Sequence, residues 1–357
     1  MIDKAFLEEY LNTPTPTGSE HSGMMLLGKR IKEKTGVEVS IDVHGNLHAV
    51  YDAGAKTTVM LEGHGDEIGY IVEYVDSNGF VFFQPLGGVS APASTAERVR
   101  IYTKKGIVNG VFGLRPPHLM SADERKSAAD NLKKMPCDIG ASSKAEALEM
   151  VEIGDVAIVD SGFRPLMKTR FSARALDDRI GSFAMMEAFI KLVTSETKPK
   201  VNLHYVSSVA EEIGLVGGRL ASFNVAPQIG ISCDVAFASD ANPEDAKVIG
   251  ELGLGKGVAL ARGPIYHEGL RELFKTAAEE KGIPYQVRAV AKGAGNNGWS
   301  LKTEHGGAAV VQLGIPLRYM HSPVEVADFI DVESTIDLTV AAVQMLSDET
   351  VLLPEQP

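Results

Sequence analysis

The sequence has little of what would identify a protein at sight. It holds two cysteines, Cys137 and Cys233, in 357 residues, too few for a disulfide framework, so a reducing compartment suits it. No apolar run approaches the roughly 20 residues of a membrane span. Basic side chains are outnumbered, 35 Lys and Arg against 47 Asp and Glu, and the net charge of −12 argues against nucleic-acid or anionic-membrane partners, which need basic patches. There is no His-Glu-x-x-His helix, no Gly-x-Ser-x-Gly turn and no glycine-rich phosphate loop, so the commonest single-metal protease, serine-hydrolase and nucleotide-binding signatures are all missing. Internal repeats and low-complexity tracts are missing too. The opening segment, MIDKAFLEEYLNTPTPTGSE, is acidic and amphipathic and lacks the basic and apolar regions of a signal peptide. These absences leave a soluble, cytoplasmic globular chain as the expectation. Its length and 44% hydrophobic content allow a large core and about two domains.

What is present changes texture along the chain. Residues 3–11 and 22–36 predict helices, the second ending at Gly36, and VEVSIDVHGNLHAVYDA and TTVMLEGH predict strands. From about residue 70 to 165, short alternating pieces are split by Gly, Pro and Asn, the pattern of a small β-barrel or sandwich. After residue 170, strands and helices alternate, with AAVVQLGI as the last strand-like run and a final helix near 332–346. That alternation predicts an α/β fold, an open, largely parallel sheet flanked by helices. The expected organisation is residues 1–70 and 166–357 as one sheet domain, with 71–165 inserted as a barrel-like β domain.

Ligands in such sheets bind outside the carboxyl ends of the strands. Several segments deliver ionisable residues there. TTVMLEGH ends in His64, HYVSSVA is followed by Glu211 and Glu212, IGISC by Asp234, and RALDDRIG places Asp177 and Asp178 before a helix. His321 follows the last predicted strand. Each alone has an ordinary reading: a satisfied structural histidine, a helix N-cap, a solvated acidic pair. Together they put imidazoles and carboxylates, the ligands of zinc- or cobalt-class ions, in one crevice.

The motifs GHGDEIGYIV, ALDDRIG, AEEIGLVGG, CDVAFASD and IPLRYMHSPVEVAD, in this order, resemble those of the tetrahedral aminopeptidases, the family that includes glutamyl aminopeptidases and proteins once labelled endoglucanase. The resemblance runs to about residue 346. It implies a dinuclear metallopeptidase domain with an inserted dimerisation domain. Two divalent ions per subunit are implied, zinc most readily, with cobalt or manganese as alternatives. His64 and Asp234 would serve one ion, His321 and Glu212 the other, and Asp177 would bridge them. Glu211 would be the general base acting on a water between the ions, and Asp66, on the same side of an extended chain as His64, would orient its imidazole. Glu67 carries no such role, and a structural hydrogen bond is expected for it.

The same resemblance implies peptide substrates cleaved from the N-terminus, and homodimers assembling into a hollow dodecamer. The substrate pocket is expected to draw on His267, Asn296, Asn297 and Trp299, although the stretch GAGNNGWSLKTEHGG departs from the family's usual Gly-Gly-Thr-Asp-Ala pattern. A deacylase would share every metal ligand. A glycosidase needs two carboxylates at least about 5 Å apart across a glycosidic bond, whereas Glu211 and Glu212 are adjacent and expected on opposite faces of a strand.

Overall fold

The computed structural model describes residues 2–121, 132–292 and 295–350. The first two helices are Lys4–Asn12 and His21–Thr35, and Gly36 closes the second in the left-handed conformation (φ 73°) that a glycine adopts without penalty. Strands β1 (Val39–Ile41), β2 (Leu47–Tyr51) and β3 (Thr58–His64) follow. The chain then leaves to form a closed six-stranded barrel and returns to complete an eight-stranded sheet, so the fold is α/β with a β-barrel inserted in it.

The barrel comprises β4 (Gly69–Val75), β5 (Val81–Leu86), β6 (Arg98–Thr103), β7 (Gly106–Phe112), β8 (Cys137–Asp138) and β9 (Val156–Val159), in the order β4-β5-β8-β7-β6-β9. It has its own core. Tyr70, Phe83 and Phe112 meet edge to face with ring centroids 5.0–6.0 Å apart, the arrangement that aromatic quadrupoles favour. Cys137 is buried in that core and Cys233 in the large sheet, both as free thiols.

Strands β10 (Arg164–Pro165) and β11 (Arg170–Ala173) come next, then β12 (Asn202–Ser208), β13 (Ile229–Phe237), β14 (Val258–Arg262), β15 (Tyr285–Ala289), β16 (Ala309–Leu317) and β17 (Glu325–Asp328). The large sheet runs β1-β2-β12-β3-β13-β16-β14-β15. Its four central strands, β12, β3, β13 and β16, are parallel, and antiparallel pairings flank them. Buried on both faces, the central strands read as continuous apolar runs rather than alternating ones. The helix Leu176–Thr194 is buried along almost its whole length between this sheet and the helix Phe329–Met345, which explains why it is apolar all round. It lies so close to β3 that a Cβ on Gly63 would fall 2.6 Å from the backbone nitrogen of Ser182.

Three sequence expectations are corrected. The run 308–315 is not the last strand: β17 follows and joins β10 and β11 in a small antiparallel sheet. The final helix starts at Phe329, earlier than expected, because the Asp328 carboxylate accepts a hydrogen bond from the Ile330 amide and caps it. Asp234 lies inside β13 rather than at its end, since β16 keeps pairing with β13 as far as Phe237.

Candidate active site

The site exists because β3 and β13 part company. Their pairing ends at Glu62 and Ser232, while β13 continues beside β16. His64, the last residue of β3, and Asp234 of β13 therefore face an opening crevice. Since β12 and β13 lie on opposite sides of β3, this is the switch point where open α/β sheets place their ligands. Glu211 and Glu212 reach the crevice from the turn after β12, with Ala210 in the left-handed region (φ 53°). They are not on opposite faces of an extended strand as expected: the strand stops at Ser208, and both acids line one cleft. Asp177 enters from the start of the helix Leu176–Thr194, whose first residues are non-helical at Asp177 and Asp178. His321 enters from the loop between β16 and β17 (φ 61°).

The two carboxylate oxygens of Asp177 face different imidazoles. Oδ1 is 3.3 Å from His64 Nε2 and Oδ2 is 3.2 Å from His321 Nε2. Glu211 Oε2 lies 3.8 Å from His64 Nε2, and Glu212 Oε2 lies 3.8 Å from His321 Nε2. Two overlapping groups, His64 with Glu211 and Asp234, and His64 with Asp177 and Glu212, bring potential ligand atoms within 4.8 Å of one another.

Two buried acids hold this arrangement. Asp66 has Oδ1 3.3 Å from His64 Nδ1, accepts the Thr17 hydroxyl at 2.8 Å, and accepts the backbone amides of Glu211 and Glu212 at 3.1 and 3.3 Å. It thus fixes the acidic turn and lies beside the imidazole it is expected to orient. Glu325, which the sequence reading passed over, does the same for the other half. Its Oε2 accepts from the amides of Leu176 and Asp177 at 2.7 and 3.1 Å, and its Oε1 accepts from the His321 amide at 2.7 Å. An acid four residues after His321, inside the last motif, is the signal that could have found it.

Glu67 resolves as expected, into structure. It is buried against Arg174 Nε at 2.9 Å and Arg179 Nη1 at 3.6 Å, and it accepts the Thr15 amide at 2.7 Å, so it ties the loop 13–20 to the core. Asp178 is fully buried, and neither of its oxygens has a hydrogen-bond partner among the described residues.

The electrostatics are those of crowded like charge. Burial pushes the carboxyls of Glu211 and Glu212 up to about 8, helped by Asp177, Asp66 and, for Glu211, Glu212. Burial and Asp177 also hold Asp234 well above the carboxylate range. Burial opposes the charge on Asp177 too, yet His321 and His64 hold it at about 2. Contact with Asp177 lifts His321 to about 9. Burial would depress His64, but Glu211, Asp177 and Asp66 outweigh it and raise the imidazole well above its usual value.

The donor set fits divalent cations. It offers imidazole nitrogens and carboxylate oxygens, and Glu212 Oε1 is buried without a hydrogen-bond partner among the described residues. A cation there would supply the positive charge that the crowded acids lack.

The cleft over these residues holds about 890 Å³. Of the four expected pocket residues, Asn296 lines it. Asn297 lies beneath, donating to Glu62 Oε1 at 2.7 Å and Ser208 Oγ at 2.9 Å. Trp299 is 40% exposed and away from the cleft lining. His267 caps the helix Glu268–Lys281 by accepting the Leu270 amide, and its neighbour Tyr266 lines the cleft instead. Arg288 of β15 also lines it, and no sequence signal marked it.

Comparison with known proteins gives a consistent picture. The profile of the M42 glutamyl aminopeptidase family matches residues 45–338. Lysyl aminopeptidase of Pyrococcus furiosus is 36% identical, over 97% of this chain and 98% of its own. A TET aminopeptidase from a marine-sediment Thaumarchaeota archaeon superposes with a TM-score of 0.89 at 27% identity, covering 96% of this chain and 97% of its own. The Pyrococcus horikoshii TET1 peptidase, described as assembling into a tetrahedron or a large octahedral shell, gives 0.82 at 27% identity over 96% of this chain and 99% of its own.

The charge crowding predicts how metal-free protein responds to pH. Glu211, Glu212 and His321 all titrate above their unfolded values, so each contributes stability that is complete below the unfolded pKa, 4.5 for the carboxyls and 6.5 for the imidazole, and that is lost as pH rises from there to about 8 and about 9 respectively. The thermal midpoint of metal-stripped protein is expected to fall as pH is raised through that window. A midpoint that climbs there would contradict the crowding.

Proposed function

The chain belongs to the M42 glutamyl aminopeptidase family and is a hydrolase, and from that premise we propose that it removes N-terminal residues from peptides at a dinuclear metal centre in the cleft of His64 and His321. The observation that carries this reading is the bifacial contact of Asp177, one carboxylate with each oxygen against a different imidazole. His64 and Asp234 would hold one ion, His321 and Glu212 the other, and Asp177 both, with zinc, cobalt or manganese suiting these donors. When bound, such ions supply Lewis acidity, lowering the pKa of water and polarising a carbonyl.

The chain's own residues do the rest. Glu211 is the general base: its carboxylate takes the proton from the attacking water at Oε2 and returns it to the departing amine. Its Oε2, 3.8 Å from His64 Nε2, stands at the edge of the proposed centre, within reach of both the water and the departing amine. Asp66 keeps Glu211 in reach by gripping its amide and keeps His64 aligned. Asn296, Tyr266 and Arg288 form the wall along which the substrate side chain would lie.

The same reading divides the chain into a catalytic domain of residues 1–70 and 166–357 and an inserted barrel domain of 71–165 that pairs two subunits, the dimers then building a dodecamer. Exposed Ile107 and Val111 on β7 give the barrel an apolar outer surface suited to pairing. A cytoplasmic location accords with free, buried cysteines, and no helix among the described residues is long and apolar enough to cross a membrane.

Two outcomes are expected. Glu211→Gln should retain its ions and cut turnover of aminoacyl anilides by at least about 10²-fold; near-normal turnover would remove Glu211 from its role. Light scattering with metal present should report a mass near twelve chains, and a species at monomer mass would rule the assembly out while leaving the chemistry intact.

A further inference from the structure

The inserted barrel contributes no candidate ligand, yet one of its loops reaches the centre. Between β5 and the short helix Ala91–Ser94 the chain passes through Gly87 and Gly88. The Gly88 carbonyl lies 3.0 Å from His321 Nδ1. A carbonyl can only accept, so in this contact Nδ1 carries the hydrogen. Nε2, the nitrogen that faces Asp177 Oδ2 at 3.2 Å and Glu212 Oε2 at 3.8 Å, is then the one with a lone pair to give.

The absent side chains matter as much as the carbonyl. A Cβ on Gly88 would stand 2.5 Å from His321 Nδ1 and 2.7 Å from its Cε1. A Cβ on Gly87 would stand 3.1 Å from Glu212 Cβ. Gly87 has a left-handed backbone (φ 79°) that by itself favours glycine, but Gly88 is not among the positive-φ residues. The turn does not require glycine at position 88; the imidazole ring does. His321 is thus fixed from two sides, its backbone by Glu325 and its ring by the barrel.

We propose that the Gly87–Gly88 turn of the inserted barrel is a positioning element for the second ion site, its carbonyl selecting the His321 tautomer and its bare backbone leaving room for His321 and Glu212. The proposal rests on the dinuclear reading of the centre. It makes the barrel part of the metal centre's scaffold, besides any part in assembly, and it accounts for the ring of a loop histidine being held facing Asp177.

The test is metal binding, independent of turnover. The backbone at position 88 admits alanine, so Gly88→Ala should fold, with the metal-free thermal midpoint and mass of the wild type. Calorimetric titration with zinc should give two ions per chain in the wild type. In the variant one ion should bind as before and the other about 10–100-fold more weakly, the usual loss when the partner of a ligating histidine is disturbed. Wild-type affinity for both ions in the variant would overturn the proposal, and so would equal weakening of both. Hydrogen exchange on the wild type keeps the question open to refutation should the variant not fold. Zinc should slow exchange in residues 86–94 and leave β7 unchanged, and no slowing in 86–94 would overturn it. A wild type that takes up no zinc would sink the dinuclear reading itself, an outcome distinct from a loss confined to the variant.

Discussion

Asp177, Asp178, Glu211, Glu212 and Asp234 crowd around two imidazoles where the central strands end, and buried acids this close together cannot all stay charged unaided. Without added positive charge, the acids escape by taking up protons, which is why Glu211 and Glu212 sit near 8. Within the fold, the two imidazoles offset the charge of Asp177 but not that of the other acids. The buried arginines nearby, Arg174 and Arg179, are committed to Glu67 and to the N-terminal loop. The charge is therefore stored, available to a cation that enters from the cleft.

Storing charge demands a rigid frame, and here two further buried carboxylates provide it. Asp66 and Glu325 each accept backbone amides from the segments that carry the donors, so each locks a pair of donor segments at once. The helix Leu176–Thr194 sets the distance between the two halves, pressed onto β3 where Gly63 leaves no side chain in the way. The barrel closes the frame from outside at Gly88. Elements distant in the chain meet at one carboxylate, Asp177, and this convergence makes a shared centre geometrically natural.

Much of this was legible in the sequence, for a physical reason. An imidazole at the end of a strand as apolar as TTVMLEGH is ordinary alone, but the ordered motifs bring His64, Asp177, Glu211, Glu212, Asp234 and His321 to one cleft. The open sheet with its inserted barrel followed from the change in hydrophobic period. Other features left no local trace. Glu325 reads as an ordinary acid until its three amide partners are seen, and Gly87–Gly88 reads as an ordinary turn because its partners lie more than a hundred residues away in sequence. His267, Asn297 and Trp299 do not line the cleft that Asn296 does, and nothing in a single sequence tells which face of a helix start looks into it. The turn at Glu211–Glu212 escaped for a related cause: the strand ends at Ser208, and Ala210 then takes a left-handed conformation that alanine seldom signals.

The central claim is that Asp177 is shared between two cations. Anomalous diffraction from crystals grown with zinc would test it most directly. The account predicts two peaks per chain, one against His64 and Asp234 and the other against His321 and Glu212, with one oxygen of Asp177 toward each. A single peak, or two peaks that do not both border Asp177, would contradict it.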